Sequence, residues 1–214
     1  MEFIEPAISA YAEKHTSPES TLLQELNRET HARVLMPRML SGHLQGRVLS
    51  MISHMIKPKL ILEIGTYTGY SAICLAEGLH PDGHLHTIDI NDELQPLVKS
   101  YITKAGLENK ITSHYGNALN LIPALPGPFD LVFIDADKIN YSNYYKLVFE
   151  KIHSGGYIIA DNVLWSGKIL EEKNKADKDT RALIDFNEMI SKDERVEKVL
   201  LPIRDGLMVV RKTH

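Results

Sequence analysis

Two short stretches of this chain carry side chains that could do chemistry together: Asp135 and Lys138 in FIDADK, and Asp161 and Asn162 in ADNVLW. Two carboxylates and an amide are hard oxygen donors. Such donors suit Mg2+ or Ca2+, with Mn2+ also compatible, and Mg2+ keeps open positions for water or substrate. A lysine one short step from those carboxylates can act as general base toward a hydroxyl that the ion polarises. A plainer reading exists. Asp and Asn often cap helices after strands, and Lys138 would then only balance Asp135 and Asp137. The chemical reading gains weight because the donors fall at the ends of two apolar runs that should be neighbouring strands.

A second constellation lies upstream. The first apolar run leads into Glu63-Ile64-Gly65-Thr66-Tyr67-Thr68-Gly69-Tyr70-Ser71, and the next ends at Asp89. The glycines permit close backbone approach to a ligand and a tight strand-to-helix turn. An acid about 20 residues beyond such a turn can accept hydrogen bonds from both hydroxyls of a ribose. The pair suggests an adenosine-type ligand; the alternative is a tight turn with a solvent-facing Asp. A pyrophosphate fits less well. The third glycine of the dinucleotide fingerprint is missing at Ser71 or its neighbour, and Glu63 would repel an anion. Glu63 suits a cationic ligand such as a sulfonium amino acid.

These residues need elements to hold them. Apolar runs at Leu60–Ile64, Leu85–Ile88, Ile111–Tyr115, Leu131–Ile134, Tyr157–Ala160, Val196–Leu201 and Leu207–Val210 predict seven strands. Several are nearly continuous in apolar residues, as in strands covered on both faces. Helical patterns lie at Tyr70–Leu79, Asp92–Ala105 (after the cap Asn91 and before Gly106), Tyr141–Ile152 and Asp177–Ile190. Alternating strands and helices imply a mostly parallel sheet. Only Pro202–Gly206 separates the last two strands, so they should form an antiparallel hairpin. Ligands of such sheets bind beyond the carboxyl ends of the strands, where the residues above fall.

The 214 residues suit one α/β domain, predicted as a helical cover over 1–56 and an α/β body over 57–214. The net charge of -4 disfavours a polyanion as the main partner, although Arg28, Arg33 and Arg38 could form a local patch. The single cysteine, Cys74, excludes an intrachain disulfide and reads as a small buried side chain. The Met1 end shows no signal segment and no run is long enough to span a bilayer, so a cytoplasmic protein is expected, without membrane contact. Of ten histidines, His84 and His86 share a strand face, but two ligands do not make a zinc site. His31 and His43 lie in the N-terminal part, as substrate contacts or as plain surface. Trp165 is either core or a ring beside an aromatic acceptor.

The chain resembles the class I S-adenosylmethionine-dependent O-methyltransferases of the caffeoyl-CoA and catechol type. The matching strings are MLSGHLQG (39–46), LEIGTYTGYS (62–71), TID (87–89), GNAL (116–119), FDLVFIDADK (129–138), NYSNYY (140–145), DNVLWSG (161–167) and LPIRDG (201–206). The resemblance implies a doubly wound, mostly parallel seven-stranded Rossmann-like sheet behind N-terminal helices. It implies that Glu63, Gly65, Thr66 and Ser71 line the cofactor's amino acid portion, and that Asp89 holds the ribose. Ala118 would lie near the adenine, Ser41 would be a further cofactor contact, and Asp137 would reach the cofactor's amino group. Asp135, Asp161 and Asn162 would bind the metal, and Asp135 would also be a cofactor contact and a catalytic residue. Lys138 would be the catalytic lysine, and Tyr144 and Trp165 would border the acceptor. Asn117 stands where the family more usually has Asp, and the N-terminal thirty or so residues match only loosely.

The expected activity is therefore divalent-metal-dependent methyl transfer from S-adenosylmethionine to a hydroxyl of a small catechol-like or phenylpropanoid-type molecule, by a homodimer. Methylation of a hydroxylated tRNA base and a non-catalytic cofactor-binding module are the alternatives. A nicotinamide dehydrogenase is disfavoured by Glu63 and the missing glycine.

Overall fold

The strands predicted from the sequence all form. They are β1 (Leu60–Ile64), β2 (His84–Asp89), β3 (Ile111–Tyr115), β4 (Phe129–Ile134), β5 (Ile152–Ala160), β6 (Val196–Leu201) and β7 (Leu207–Lys212) in a computed structural model that describes residues 4–214. Residues 1–3 of the expected cover lie outside the described residues. The strands make one sheet in the order β3-β2-β1-β4-β5-β7-β6. The pairs among β1 to β5 are parallel. β7 inserts antiparallel between β5 and β6, because the short loop before it leaves no room for a crossover. The strand order reverses between β1 and β4, which opens a crevice there.

Alternation along the strands sorts the core into two layers. Ile61, Leu85, Leu131, Phe133 and Ile159 face one way, against α3 (Gly42–Ile56), α4 (Tyr70–Ala76) and α5 (Gln95–Lys104). Leu62, Ile64, Val132, Ile134 and Ile158 face the other way. They meet α6 (Ala118–Leu121), α7 (Tyr141–Phe149) and α8 (Lys178–Lys192). This is the doubly wound arrangement the sequence predicts. The cover adds α1 (Pro6–Lys14) and α2 (Thr21–Arg33). Leu23 and Leu26 of α2 pack on Tyr70, Ile73 and Tyr101, so the cover rests on the helices nearest the β1 turn.

Three boundaries differ from expectation, each for a physical reason. The helix expected over 92–105 begins as a 3-10 turn, Asp92–Leu94, and restarts at Gln95. Pro96 has no N–H to return to the preceding turn. The helix expected over 70–79 stops at Ala76, where Leu79 turns back to the Ala76 carbonyl. The helix expected over 141–152 stops at Phe149, and Ile152 instead opens β5 opposite Phe129. Tyr145, Val148, Phe149 and Ile152 continue a helical spacing, but edge-to-edge pairing claims Ile152. The extra residues then pass through an irregularity at Gly155, with φ +86.

Candidate active site

The crevice beyond the strand ends is a cleft of about 1870 Å3. Ligand pockets commonly measure ~300–1,000 Å3, so this one has room for two ligands side by side.

Its β1–β2 side is built from backbone, neutral hydroxyls and one carboxylate, Asp89. Gly65 has φ +106, and a Cβ there would stand 1.9 Å from the Asp135 carbonyl oxygen, so no side chain fits between the ends of β1 and β4. Asp89 ends β2 with both carboxylate oxygens oriented: Oδ2 accepts the Tyr67 N–H (2.7 Å) and Oδ1 the Asn91 N–H (2.9 Å). Each oxygen keeps further acceptor capacity, and Asp89 lines the cleft. Thr66, Ser71, Ser41 and Ala118 line the same space and are themselves nearly buried. Glu63 does not reach the wall. It is fully buried, and the Thr87 hydroxyl donates to its Oε2 (2.6 Å). Thr87 shares a second hydrogen bond, 2.5 Å long, with the hydroxyl of Thr66, which does face the cleft. Glu63 thus communicates with the cleft through two hydroxyls. Burial pushes its carboxyl up to about 8, and Oε1 has no partner.

The β4–β5 side is built from charge. β4 and β5 are paired, so Asp135 and Asp161 end adjacent strands. Lys138, 8% exposed, follows on a 3-10 turn and folds back under them. Its Nζ donates to Asp135 Oδ1 (3.0 Å), Asn162 Oδ1 (2.7 Å) and the Tyr141 hydroxyl (2.6 Å). All three ammonium donors are used. One positive centre therefore already bridges two of the three predicted donor oxygens. Asp161 is buried beside them. Its Oδ1 accepts the Asn162 N–H (2.7 Å) and its Oδ2 accepts Gln45 Nε2 (2.6 Å). Burial, reinforced by the neighbouring Asp135 charge, raises its carboxyl to about 7. Asn162 has φ 58, a left-handed conformation that Asn tolerates better than most residues. Among the described residues no group of three His, Cys, Asp or Glu side chains is placed to hold a metal, so any ion here relies on the Asn162 amide as well as the two carboxylates.

A family model described as O-methyltransferase matches residues 13–213. The chain belongs to this family of S-adenosylmethionine-dependent O-methyltransferases. A caffeoyl-CoA O-methyltransferase of Stellaria longipes is 34% identical over 206 residues, covering 92% of this chain and 85% of that protein. Among solved structures, an O-methyltransferase of Bacillus cereus in complex with SAH superposes with TM-score 0.87 at 30% identity, over 96% of this chain and 97% of that one. The O-methyltransferase TomG of Streptomyces achromogenes, in complex with SAM, gives TM-score 0.88 at 27% identity, over 97% and 96% of the two chains.

Within this O-methyltransferase the remaining predicted residues fall around the cleft. Asp137 is solvent-exposed at its edge, where the Tyr144 hydroxyl and Asn140 Nδ2 (2.5 Å) donate to its carboxylate. Tyr144 lines the wall through a largely buried ring. Trp165 lines it too, with its ring centre 5.8 Å from Lys138 Nζ. It sits in a strained turn in which Trp165, Ser166 and Gly167 all have positive φ. Asp205 of the β6–β7 loop holds that turn by accepting the Ser166 N–H (2.5 Å). The histidine pair of β2 gains a third member, His114 of β3, with His86 Nδ1 and His114 Nε2 3.0 Å apart. That cluster lies away from the cleft and is not placed to bind a metal.

Four residues of the site carry no role in the sequence reading: Gln45, Tyr141, Arg204 and Asp205. Each lies inside one of the matching strings. What each does depends on contacts across as many as 164 positions of sequence separation, which local pattern does not reveal.

Proposed function

We propose that this enzyme methylates a hydroxyl of a small catechol-like or phenylpropanoid-type acceptor, using a divalent ion, Mg2+ in the first instance, at Asp135, Asp161 and Asn162. The observation that carries the reading is the bridging position of Lys138, whose ammonium joins Asp135 Oδ1 to Asn162 Oδ1. Oxygens that converge on one cation fit another, and the set is hard enough for Mg2+, Ca2+ or Mn2+. The ion would lower the pKa of an acceptor hydroxyl. Asp89 would hold the ribose of S-adenosylmethionine, and Ser41, Thr66, Ser71 and Ala118 would enclose the rest, with Asp137 near its amino group. Tyr144 and Trp165 would flank an aromatic acceptor.

In the reaction the acceptor oxygen forms the new bond to the methyl carbon. The carbon–sulfur bond would break with its electron pair going to sulfur, and Lys138, having first given up a proton so that it stands as the neutral amine, would take the hydroxyl proton. The sulfonium loses its charge on the way, so a cleft that excludes water favours the step. Fixing oxygen and methyl carbon in line contributes up to about 7–11 kcal/mol in well-oriented reactions.

A small molecule is favoured over RNA by two of the three arginines of the cover; the third, Arg38, lines the cleft. Arg33 is paired with Glu29 at 2.9 Å, and Arg28 lines a hollow that also holds Glu25 and Glu29. No helix among the described residues is long and apolar enough to cross a membrane; a cytoplasmic enzyme, working as one domain and as a homodimer, is our inference. The test is a screen of vicinal diols, phenolic CoA esters and RNA with labelled S-adenosylmethionine, with and without Mg2+. Mg2+-dependent labelling of diols or phenolic esters is expected. Labelling of RNA alone, or equal labelling without a divalent ion, overturns the proposal.

A further inference from the structure

Asp161 is held by something outside the strand that carries it. Gln45, fully buried near the start of α3, donates Nε2 to Asp161 Oδ2 at 2.6 Å. The other end of the same amide is also engaged: Arg204 Nη1 donates to Gln45 Oε1 at 3.1 Å. Arg204 additionally donates to the backbone carbonyls of Leu40 (3.2 Å) and Ser41. Three distant segments therefore meet in one line: the β6–β7 loop, the first turn of α3 and the end of β5.

The chemistry of the line fixes its direction. A guanidinium has donors and no acceptor. Facing Arg204, the Gln45 amide must present its oxygen, so its NH2 group is turned toward Asp161. Asp161 Oδ1 is already satisfied by the Asn162 N–H. Without Gln45, Oδ2 of a buried carboxylate would lose its donor, an expensive state that the side chain would relieve by rotating or by drawing Lys138 toward itself. Without Arg204, the amide could flip and set its oxygen against the carboxylate.

We infer that Gln45 and Arg204 are positioning residues that set the orientation of Asp161 for cation binding, Arg204 acting through Gln45. The inference rests on the divalent-ion reading of the site. It goes beyond that reading by assigning control of the ion site to the cover helix and the hairpin loop. In its observed orientation Gln45 is not itself a ligand, because it offers Asp161 a donor and spends its oxygen on Arg204.

The experiment is a titration of the purified full chain with Mn2+, followed by the loss of the free-ion electron paramagnetic resonance signal. The proteins are wild type, Asp161→Asn, Gln45→Met, Arg204→Met and the Gln45→Met/Arg204→Met double variant. Residues that orient metal ligands typically change affinity by about 10–100-fold, and that loss is expected for Gln45→Met. Arg204→Met should lose less. The double variant should bind no more weakly than Gln45→Met alone, since two residues on one line are not additive. A general loosening of the fold would instead make the losses add, and would also weaken S-adenosylhomocysteine binding by Gln45→Met, which should stay at the wild-type value. Wild-type affinity in Gln45→Met, or additive losses, overturns the inference. If Gln45→Met does not fold, Arg204→Met still decides: unchanged Mn2+ affinity there overturns it. If wild type binds no Mn2+, or binds it equally after Asp161→Asn, the ion reading itself falls and this inference with it, a result distinct from any of the others.

Discussion

The two sides of the cleft are held by different means. At the β1–β2 side the groups that face a ligand are fixed by backbone: a glycine that no other residue can replace at Gly65, and two N–H groups that orient Asp89. At the β4–β5 side they are fixed by side chains: Lys138, braced by the Tyr141 hydroxyl, donates to the Asp135 carboxylate, and Gln45 from α3 donates to the Asp161 carboxylate. The first side is preorganised whether or not charge is present. The second holds its shape only while its charges are balanced, and in this structure Lys138 supplies the balance. Binding of the adenosine part should therefore tolerate changes that disable turnover, and the two functions should separate under mutation.

Chelation is the strongest way to break that comparison. EDTA should abolish turnover and leave S-adenosylhomocysteine affinity, measured by calorimetry, close to its untreated value. A parallel loss of both would show that the sides are one unit, and full activity in metal-free buffer would remove the divalent ion from the mechanism. Lys138→Ala sharpens the same contrast. A positioned proton acceptor contributes about 100–10,000-fold, so kcat should fall by that factor while cofactor affinity barely moves. Near-normal kcat would leave Lys138 as a charge-balancing residue only. The rate of the wild type should rise with pH as the acceptor hydroxyl deprotonates, and that dependence should change in Lys138→Ala.

How much of this was legible in the sequence follows the same division. The strands, the hairpin and the Gly65, Asp89, Asp135, Lys138, Asp161 and Asn162 positions could be read because each depends on local pattern: apolar runs, a turn that needs glycine, residues that end a strand. The switch point between β1 and β4 followed from the order of elements. Gln45 and Arg204 could not be assigned roles, because an amide on a helix and an arginine in a loop read as ordinary surface chemistry until the fold brings them 3.1 Å apart. The depth of Glu63 was not legible for a related reason. Alternation gives the face of a strand but not the depth, and Thr66 and Thr87 stand between Glu63 and the cleft. The start of β5 was missed because Ile152 satisfies helical and strand spacing equally.

On the β1–β2 side the expected effects are smaller and confined to binding. Asp89→Ala would remove the proposed acceptor for two ribose hydroxyls, and each lost hydrogen bond to a charged group should cost about 1.5–3 kcal/mol. Calorimetric titration with S-adenosylhomocysteine measures the loss. Mn2+ affinity should not change, since Asp89 belongs to the backbone-held side. An unchanged nucleoside affinity would remove the ribose assignment.

The smallest effect is on stability, and it isolates Glu63. Its carboxyl is raised from 4.5 to about 8 by burial, so the folded state keeps a proton that the unfolded chain has released. The contribution is fully present below pH 4.5 and is lost as pH rises through about 8. Asp161, raised to about 7, gives a decline of the same sign, but most of it is complete by pH 7. The interval from pH 7 to 8 therefore reports chiefly on Glu63, where integration of one proton gives a decline of about 1 kcal/mol. Urea unfolding of the ligand-free protein at pH 7 and pH 8 measures it. Gln keeps an acceptor for the Thr87 hydroxyl and cannot ionise, so Glu63→Gln should flatten the decline. Equal slopes in the two proteins would mean that Glu63 is ionised in the folded state, and that water or a rearranged Ser71 satisfies Oε1. In that case the β1–β2 side would carry a buried charge held by side chains, and the contrast between a backbone-held side and a side-chain-held side would fail at that residue.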